Sequence, residues 1–290
     1  LTVVAPLKGT PAFRAGMRSG DKILEIDGKT TAGMKVDEAV NAIRGEKGTK
    51  VTLTVLSKDD ESPRKVEIIR DVIAIPTIDT EIRAKDGTLK DLPAGTGDES
   101  EVFVIKLYNF SAQSPELFRQ ALRGFILSGK NRLILDLRGN PGGYLEASVD
   151  IASWFLPPGK VVVSEEFAKD NKTNAHRSRG YDIFTDKLKM AILVDEGSAS
   201  ASEILAGALS EHGVAKLVGT KTFGKGSVQE VVPVTDDTAL KVTIARWLTP
   251  NGTSISEGGL TPDVSVTVTK EDIAAGRDPQ LEKAIEVVSD

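Results

Sequence analysis

Met190-Ala191-Ile192-Leu193-Val194, followed by Asp195-Glu196-Gly197-Ser198-Ala199-Ser200-Ala201-Ser202-Glu203, decides how this chain is read. The apolar run suits a buried strand, and Asp195-Glu196-Gly197 breaks it. Beyond the break, Ala201, Ile204, Leu205, Ala208 and Leu209 recur close to the i, i+3, i+4, i+7 spacing of a helix that opens at Ser200, with Gly207 a minor cost. A serine in that position sits at the positive end of the helix dipole, among N–H groups without helical partners, where a developing oxyanion is steadied. The same serine is also read as an ordinary helix cap, as are Ser198 and Ser202.

Val214-Ala215-Lys216-Leu217-Val218-Gly219 predicts a second short strand, after which comes Phe223-Gly224-Lys225-Gly226-Ser227-Val228-Gln229. A strand, helix, strand path brings Lys225 back beside Ser200. A serine hydroxyl needs a base, and a lysine serves only where burial or nearby positive potential favours its neutral form. The flanking glycines allow close backbone approach, and Gln229 can orient the amine without adding negative charge. Taken alone, Lys225 is a solvated loop residue and Gln229 a strand-surface residue. Gly219 to Gly226 also matches a phosphate-binding loop up to its last position, but Gly226 stands where a Ser or Thr hydroxyl is required, and a β-like run follows in place of a helix.

Arg132-Leu133-Ile134-Leu135-Asp136-Leu137 reads as another buried strand, ending in the turn Gly139-Asn140-Pro141-Gly142-Gly143. Such a turn leaves backbone donors free for a ligand, or it merely connects strand to helix. The only histidines are His176, in the polar stretch after Lys169 and read as exposed loop, and His212, read as a helix end. Neither suits a His-dependent triad. With no cysteine and no H-E-x-x-H pattern, a thiol nucleophile is excluded and no metal or cofactor is expected.

The three segments Leu135–Gly143, Gly197–Glu203 and Phe223–Gln229, with Ala245–Gly252 and Gly258–Asp263, resemble the signature segments of the carboxyl-terminal processing proteases, the S41 serine peptidases. The resemblance implies a crotonase/ClpP-like α/β peptidase core, with Ser200 as nucleophile, Lys225 as general base and Gln229 positioning the lysine. It places the oxyanion on the N–H groups of Gly143 and Ala201. Glu203 belongs to the matched segment, with capping or loop orientation as open as chemistry. The implied activity is endopeptidase cleavage near substrate C termini, in an extracytoplasmic, periplasmic or envelope setting.

The N-terminal part has another character. Pro11 starts a short helical turn with Gly16 and Gly20 at its exit, and Asp27-Gly28 turns the strand Ile23 to Ile26. A helix is predicted from Lys35 to Arg44, ended by Gly45, then alternating strands at 50–55 and 65–69. Gly9 to Ala12 and Ala15 to Gly28 closely resemble a PDZ domain, a module that adds a peptide tail as a strand and holds its carboxylate in a preceding loop. That loop is expected ahead of Leu1, so the domain is expected to be N-terminally incomplete. The family couples this domain to the protease site, and Arg70 is a candidate coupling residue; an ion pair at a domain boundary is the alternative.

The expected organisation is therefore a PDZ domain at 1–70, an S41-type peptidase domain at 71–270 and a C-terminal helical segment at 271–290, with 85–100 a surface loop. A net charge of −5 argues weakly against a nucleic-acid partner. Proteins or peptides with apolar C termini are the expected partners, together with a delivering adaptor and self-assembly through segments outside this sequence. Two other classes remain: a non-catalytic tail-binding adaptor, and an acyl-CoA hydrolase on a related fold.

Overall fold

The computed structural model describes residues 1–290 except 4–9, 19–20, 58–61, 74–75, 91–100, 168–171, 185–186, 236–237, 257 and 290. Gly9, Gly20, Lys169 and the 91–100 part of the expected loop thus lie outside the described residues. Contacts divide the chain into one unit of Leu1–Ile75 with Ile273–Arg277 and a second of Pro76–Asp272 with Asp278–Asp290.

The first unit contains α1 (Pro11–Arg14), β1 (Lys22–Ile26), β2 (Lys29–Thr30), α2 (Val36–Ile43), β3 (Lys50–Leu56) and β4 (Arg64–Ile69). The strands form an antiparallel sheet in the order β2-β1-β3-β4. Strict alternation in β3 sends Val51, Leu53 and Val55 into a core with Met17, Ile26, Ala39, Val66 and Ile68. Asp27, at φ 48°, and Gly28, at φ 77°, make the predicted tight turn between β1 and β2. Arg70 is held inside this unit: Nε donates to Ile43 O at 2.7 Å, Nη2 to Ala42 O at 3.3 Å, and Nη1 to Lys50 O at 2.9 Å and Thr49 Oγ1 at 3.0 Å. It thereby takes up carbonyls left open at the C-terminal end of α2.

The second unit is built on a seven-stranded sheet. Along the chain come β5 (Ile78–Arg83), β6 (Leu89–Lys90), β7 (Val102–Leu107), α3 (Ser114–Leu127), β8 (Arg132–Asp136), α4 (Leu145–Ala152), β9 (Val161–Phe167), β10 (Thr173–Arg177), β11 (Lys189–Val194), α5 (Ala201–Glu211), β12 (Lys216–Gly219), β13 (Ser227–Thr235), β14 (Thr238–Leu248), β15 (Val264–Ser265), then α6 (Lys270–Ala275), whose residues from Ile273 on group with the first unit, and α7 (Pro279–Ser289). The sheet order is β15-β12-β11-β8-β7-β5-β6, parallel from β15 to β7 and antiparallel at β5 and β6. Thus β6 occupies part of the stretch expected to be loop.

The central strands read as continuous apolar runs because both faces are covered. Leu133 and Leu135 of β8, and Met190, Ile192 and Val194 of β11, face a core shared with α3, α4 and α5. Ile134, Ala191 and Leu193 face the other side, against Leu281, Ala284, Ile285 and Val288 of α7. The C-terminal helix is therefore packed into the core of the second unit. A separate antiparallel sheet, β10-β9-β14-β13, completes this unit.

His176 departs from the sequence expectation of an exposed loop. It lies on β10, half-buried, with its Nε2 3.3 Å from the Glu165 carboxylate and its ring edge-on to Trp247. The polar residues around it alternate along a strand paired with β9, a pattern masked in the sequence by the preceding Lys-Asp-Asn-Lys run.

Candidate active site

Three adjacent parallel strands, β8, β11 and β12, end at Asp136, Val194 and Gly219, and the three segments singled out in the sequence leave from those ends. Carboxyl ends of parallel strands are the usual place for a ligand site, because the loops there meet one another above the sheet.

The first loop is fixed at both ends. Arg138 donates to both Asp136 oxygens and to both Asp278 oxygens, with Asp136 Oδ2 at 2.8 Å and Asp278 Oδ1 at 2.8 Å. Burial opposes its charge, but the flanking carboxylates outweigh that and raise the guanidinium pKa. Asn140, fully buried, donates from Nδ2 to Leu107 O at 2.7 Å and accepts from Gly142 N at 2.9 Å. Its own carbonyl accepts from Ala199 N at 3.0 Å and from the Ser202 hydroxyl at 2.9 Å, which joins this turn to the serine loop.

Gly142 and Gly143 have φ of 94° and 147°, values that favour glycine. A Cβ on Gly142 would stand 2.6 Å from Ala199 O and 2.9 Å from both Ala201 N and Ser200 Cβ, so the turn presses directly against the helix start. Phe110 bonds to Gly142 O and Tyr144 N on either side of Gly143, leaving the Gly143 N–H turned away from it. Among the described residues neither the Gly143 N–H nor the Ala201 N–H has a hydrogen-bond acceptor.

Ser200 caps α5 with φ 58° and ψ −115°, a strained conformation for a residue with a side chain. Serines on either side are structural: Ser198 Oγ donates to Leu137 O at 2.8 Å, and Ser202 reaches Asn140. Only Ser200 of the three is not buried.

Glu203 holds the site together, and this the sequence left open. Its side chain is fully buried and accepts four hydrogen bonds. Oε2 takes the N–H of Ser200 and the N–H of Lys225, both at 2.9 Å. Oε1 takes the Thr222 hydroxyl at 2.6 Å and the Gly224 N–H at 2.7 Å. A buried carboxylate is tolerable only with such a full set of donors.

Lys225 itself is exposed, as is Gln229 on β13. No hydrogen bond joins the Ser200 hydroxyl, the Lys225 amine and Gln229 to one another among the described residues. The structure thus brings the two loops together through their backbones while the expected side-chain contacts are open. Gly224 and Gly226 seat the loop: a Cβ would meet Gly259 N at 2.8 Å and Ser256 N at 2.2 Å respectively. After Gly226 the chain enters β13, with no helix as a nucleotide loop requires. His212 caps α5 and its ring bonds to Val161 O at 2.7 Å, so it is occupied structurally. Among the described residues no group of His, Asp and Glu side chains is placed to hold a metal ion, and no helix is long and apolar enough to cross a membrane.

The chain thus combines an α/β unit, whose strand ends bring together a strained serine, two backbone N–H groups and a lysine loop, with a smaller unit built on a four-stranded antiparallel sheet. Residues 101–266 match the model of peptidase family S41, and residues 2–57 match a PDZ domain; the chain belongs to the S41 peptidases. It is 36% identical over 266 residues to a carboxy-terminal-processing protease of Bartonella bacilliformis, covering 92% of this chain and 58% of that protein. It is 37% identical over 273 residues to a protein of Staphylococcus aureus (strain N315) described as a probable CtpA-like serine protease, covering 93% of this chain and 51% of that protein. Among solved structures, a photosystem II D1 C-terminal processing protease matches with a TM-score of 0.62 at 27% identity, over 100% of this chain and 72% of that one. The chain spans little more than half the length of the curated relatives it matches.

Proposed function

We propose that this chain is a serine endopeptidase that cleaves protein substrates near their C termini, with Ser200 as nucleophile and Lys225 as general base. The observation that carries this reading is the shared carboxylate of Glu203, which fixes the main chain of Ser200 and of Lys225 to one buried point. Ser200 Oγ attacks the scissile carbonyl and passes its proton to the neutral Lys225 Nζ. The N–H groups of Gly143 and Ala201 hold the oxyanion. The lysine then protonates the leaving amine, and water, deprotonated by the same lysine, releases the acyl group from Ser200. Gln229 orients the amine.

The first unit supplies recognition of an extended substrate tail or activation by it, through strand addition, and Arg70 is the proposed coupling residue. Substrates are proteins with apolar C termini, delivered in some cases by an adaptor. An extracytoplasmic or envelope setting and self-assembly through other segments belong to the same reading.

The test is cleavage of an unfolded protein with an apolar C terminus, comparing the chain with Ser200→Ala and Lys225→Ala between about pH 6 and 10. Both variants should lose cleavage across that range. A Lys225→Ala variant that cleaves as the parent does would sink the dyad, and failure of a fluorophosphonate to label Ser200 would sink the enzyme.

A further inference from the structure

The strand that leaves the catalytic loop is unusual for a folded protein. β13 begins at Ser227, directly after Lys225-Gly226, and is the last strand of its sheet, paired only with β14. Its outer edge carries no partner among the described residues, and from Gln229 onward every residue is exposed. Exposed residues of this hairpin are nonetheless apolar: Val231 is 60% exposed, Val234 64% and Leu240 56%, with Val232 and Val242 also open. Cross-strand pairing of Val232 with Leu240 and of Glu230 with Val242 puts Val232, Leu240 and Val242 on one face, while Val231, paired with Lys241, lies on the other.

Long apolar edge strands template pairing with any extended chain, and proteins ordinarily blunt them with proline or charge. Here the blunting is partial. Pro233 has no N–H to offer and stops a ladder there, but Ser227 to Val232 remain open, on the side that runs into the lysine loop. A chain paired on this stretch lies about 4.8 Å from β13, and its next residues in the direction of Ser227 run past Lys225.

We infer that the outer edge of β13 between Ser227 and Val232 is a docking edge for an extended apolar segment of the substrate, which it aligns as an added strand and feeds toward Ser200. This inference rests on the peptidase reading for the identity of its occupant. Continuity with the lysine loop favours a substrate over a second copy of the chain, since Pro233 interrupts the long, unbroken edge that strand-to-strand self-pairing would use. Apolar side chains on both faces of the strand suit a peptide whose alternate residues point to opposite sides.

The experiment measures binding of a fluorescent, valine-rich peptide to the full chain carrying Ser200→Ala. A C-terminal amide on the peptide removes the carboxylate that a PDZ domain would hold. Two further peptides are N-methylated at alternate residues, one in each register. Methylating the amides that face the edge should weaken binding roughly tenfold, as expected for the loss of two or more backbone hydrogen bonds, whereas the other register should change it little. The triple variant Val231→Thr, Val232→Thr and Val234→Thr, isosteric and compatible with a strand, should also bind more weakly. Equal binding of both methylated registers, no binding, or an edge occupied instead by a second copy, seen as self-association lost in the triple variant, would overturn the inference. Fluorophosphonate labelling of Ser200 in the unsubstituted chain is read in parallel. Labelling with register-independent peptide binding removes the docking edge alone, and register-dependent binding without labelling removes the nucleophile while the edge stands.

Discussion

The main-chain N–H groups of Ser200 and Lys225 point at the same atom, Oε2 of Glu203, each at 2.9 Å. A helix residue, one turn in from Ser200, thereby sets the spacing between two loops that leave neighbouring strands. The other oxygen binds Thr222 and Gly224, so the lysine loop is held at three points.

Replacing Glu203 by Gln keeps the shape and removes half of the acceptors. The amide nitrogen of Gln faces one pair of donors that it cannot satisfy, and each buried donor so orphaned costs about 1–3 kcal/mol. Glu203→Gln should therefore lower unfolding stability by several kcal/mol by denaturant titration. In the fraction that stays folded, kcat should fall more than KM rises and fluorophosphonate labelling of Ser200 should slow. Stability loss with an unchanged labelling rate would show that the carboxylate braces the fold without placing the serine.

Gly142 offers a sharper probe of the proposed oxyanion site. Gly142→Ala puts a methyl 2.6 Å from Ala199 O and 2.9 Å from Ala201 N at a backbone φ of 94°, so the turn must shift away from the Ala201 N–H. Loss of an oxyanion donor costs on the order of 10²–10³ in kcat, and a loss of that size is expected here. Gly139→Ala is the control, because Gly139 also has positive φ, 66°, but nothing stands within 4 Å of the added carbon. It should cost only about 1–2 kcal/mol of stability from the left-handed backbone. Equal kcat in the two variants would argue that no charge develops beside Gly142.

The fold was largely legible from period and punctuation. β8, β11 and α5 follow from apolar runs and helical spacing, and α3 and α7 from Pro-led amphipathic stretches. Signals that depend on strand order were not legible: nothing local in Asn140 says that it reaches Leu107 and Ala199, or in Glu203 that it meets Thr222. For Glu203 the sequence left capping, loop orientation and chemistry open; its carboxylate takes the Ser200 N–H as a cap does, and the same oxygen also takes the Lys225 N–H. His176 was misplaced for the opposite reason, since a polar strand on a half-buried sheet has too little apolar alternation to separate it from a loop.

The Arg70 side chain makes four hydrogen bonds within its own unit, three of them to main-chain carbonyls. Arg70→Ala should therefore destabilise the first unit by about 1–3 kcal/mol and speed hydrogen exchange at the C-terminal end of α2. Its proposed coupling role predicts more than that: the rise in turnover produced by a tail peptide should shrink, by at least severalfold, under conditions where the unit is fully folded. Exchange that speeds up while peptide activation stays intact would leave Arg70 as a helix cap.

The Arg138–Asp278 pair sets a pH dependence whose sign can be worked out. Burial raises the Asp278 pKa, but the Arg138 guanidinium bonded to both its oxygens wins and holds the carboxyl below its ordinary value. A group with a depressed folded pKa contributes stability above its unfolded pKa, about 3.9 for Asp, and loses it as pH falls through the lower folded value. Asp278→Asn should then destabilise the chain at neutral pH. The side chain of Asp278 is 38% exposed, so the effect is screened to about 1 kcal/mol. Denaturant midpoints of the two proteins should converge below about pH 4. Because Arg138 also opens the turn that carries Gly143, the variant should slow Ser200 labelling at neutral pH. A constant stability gap from neutral to acid pH would show that packing of α7, and not the ion pair, accounts for the difference.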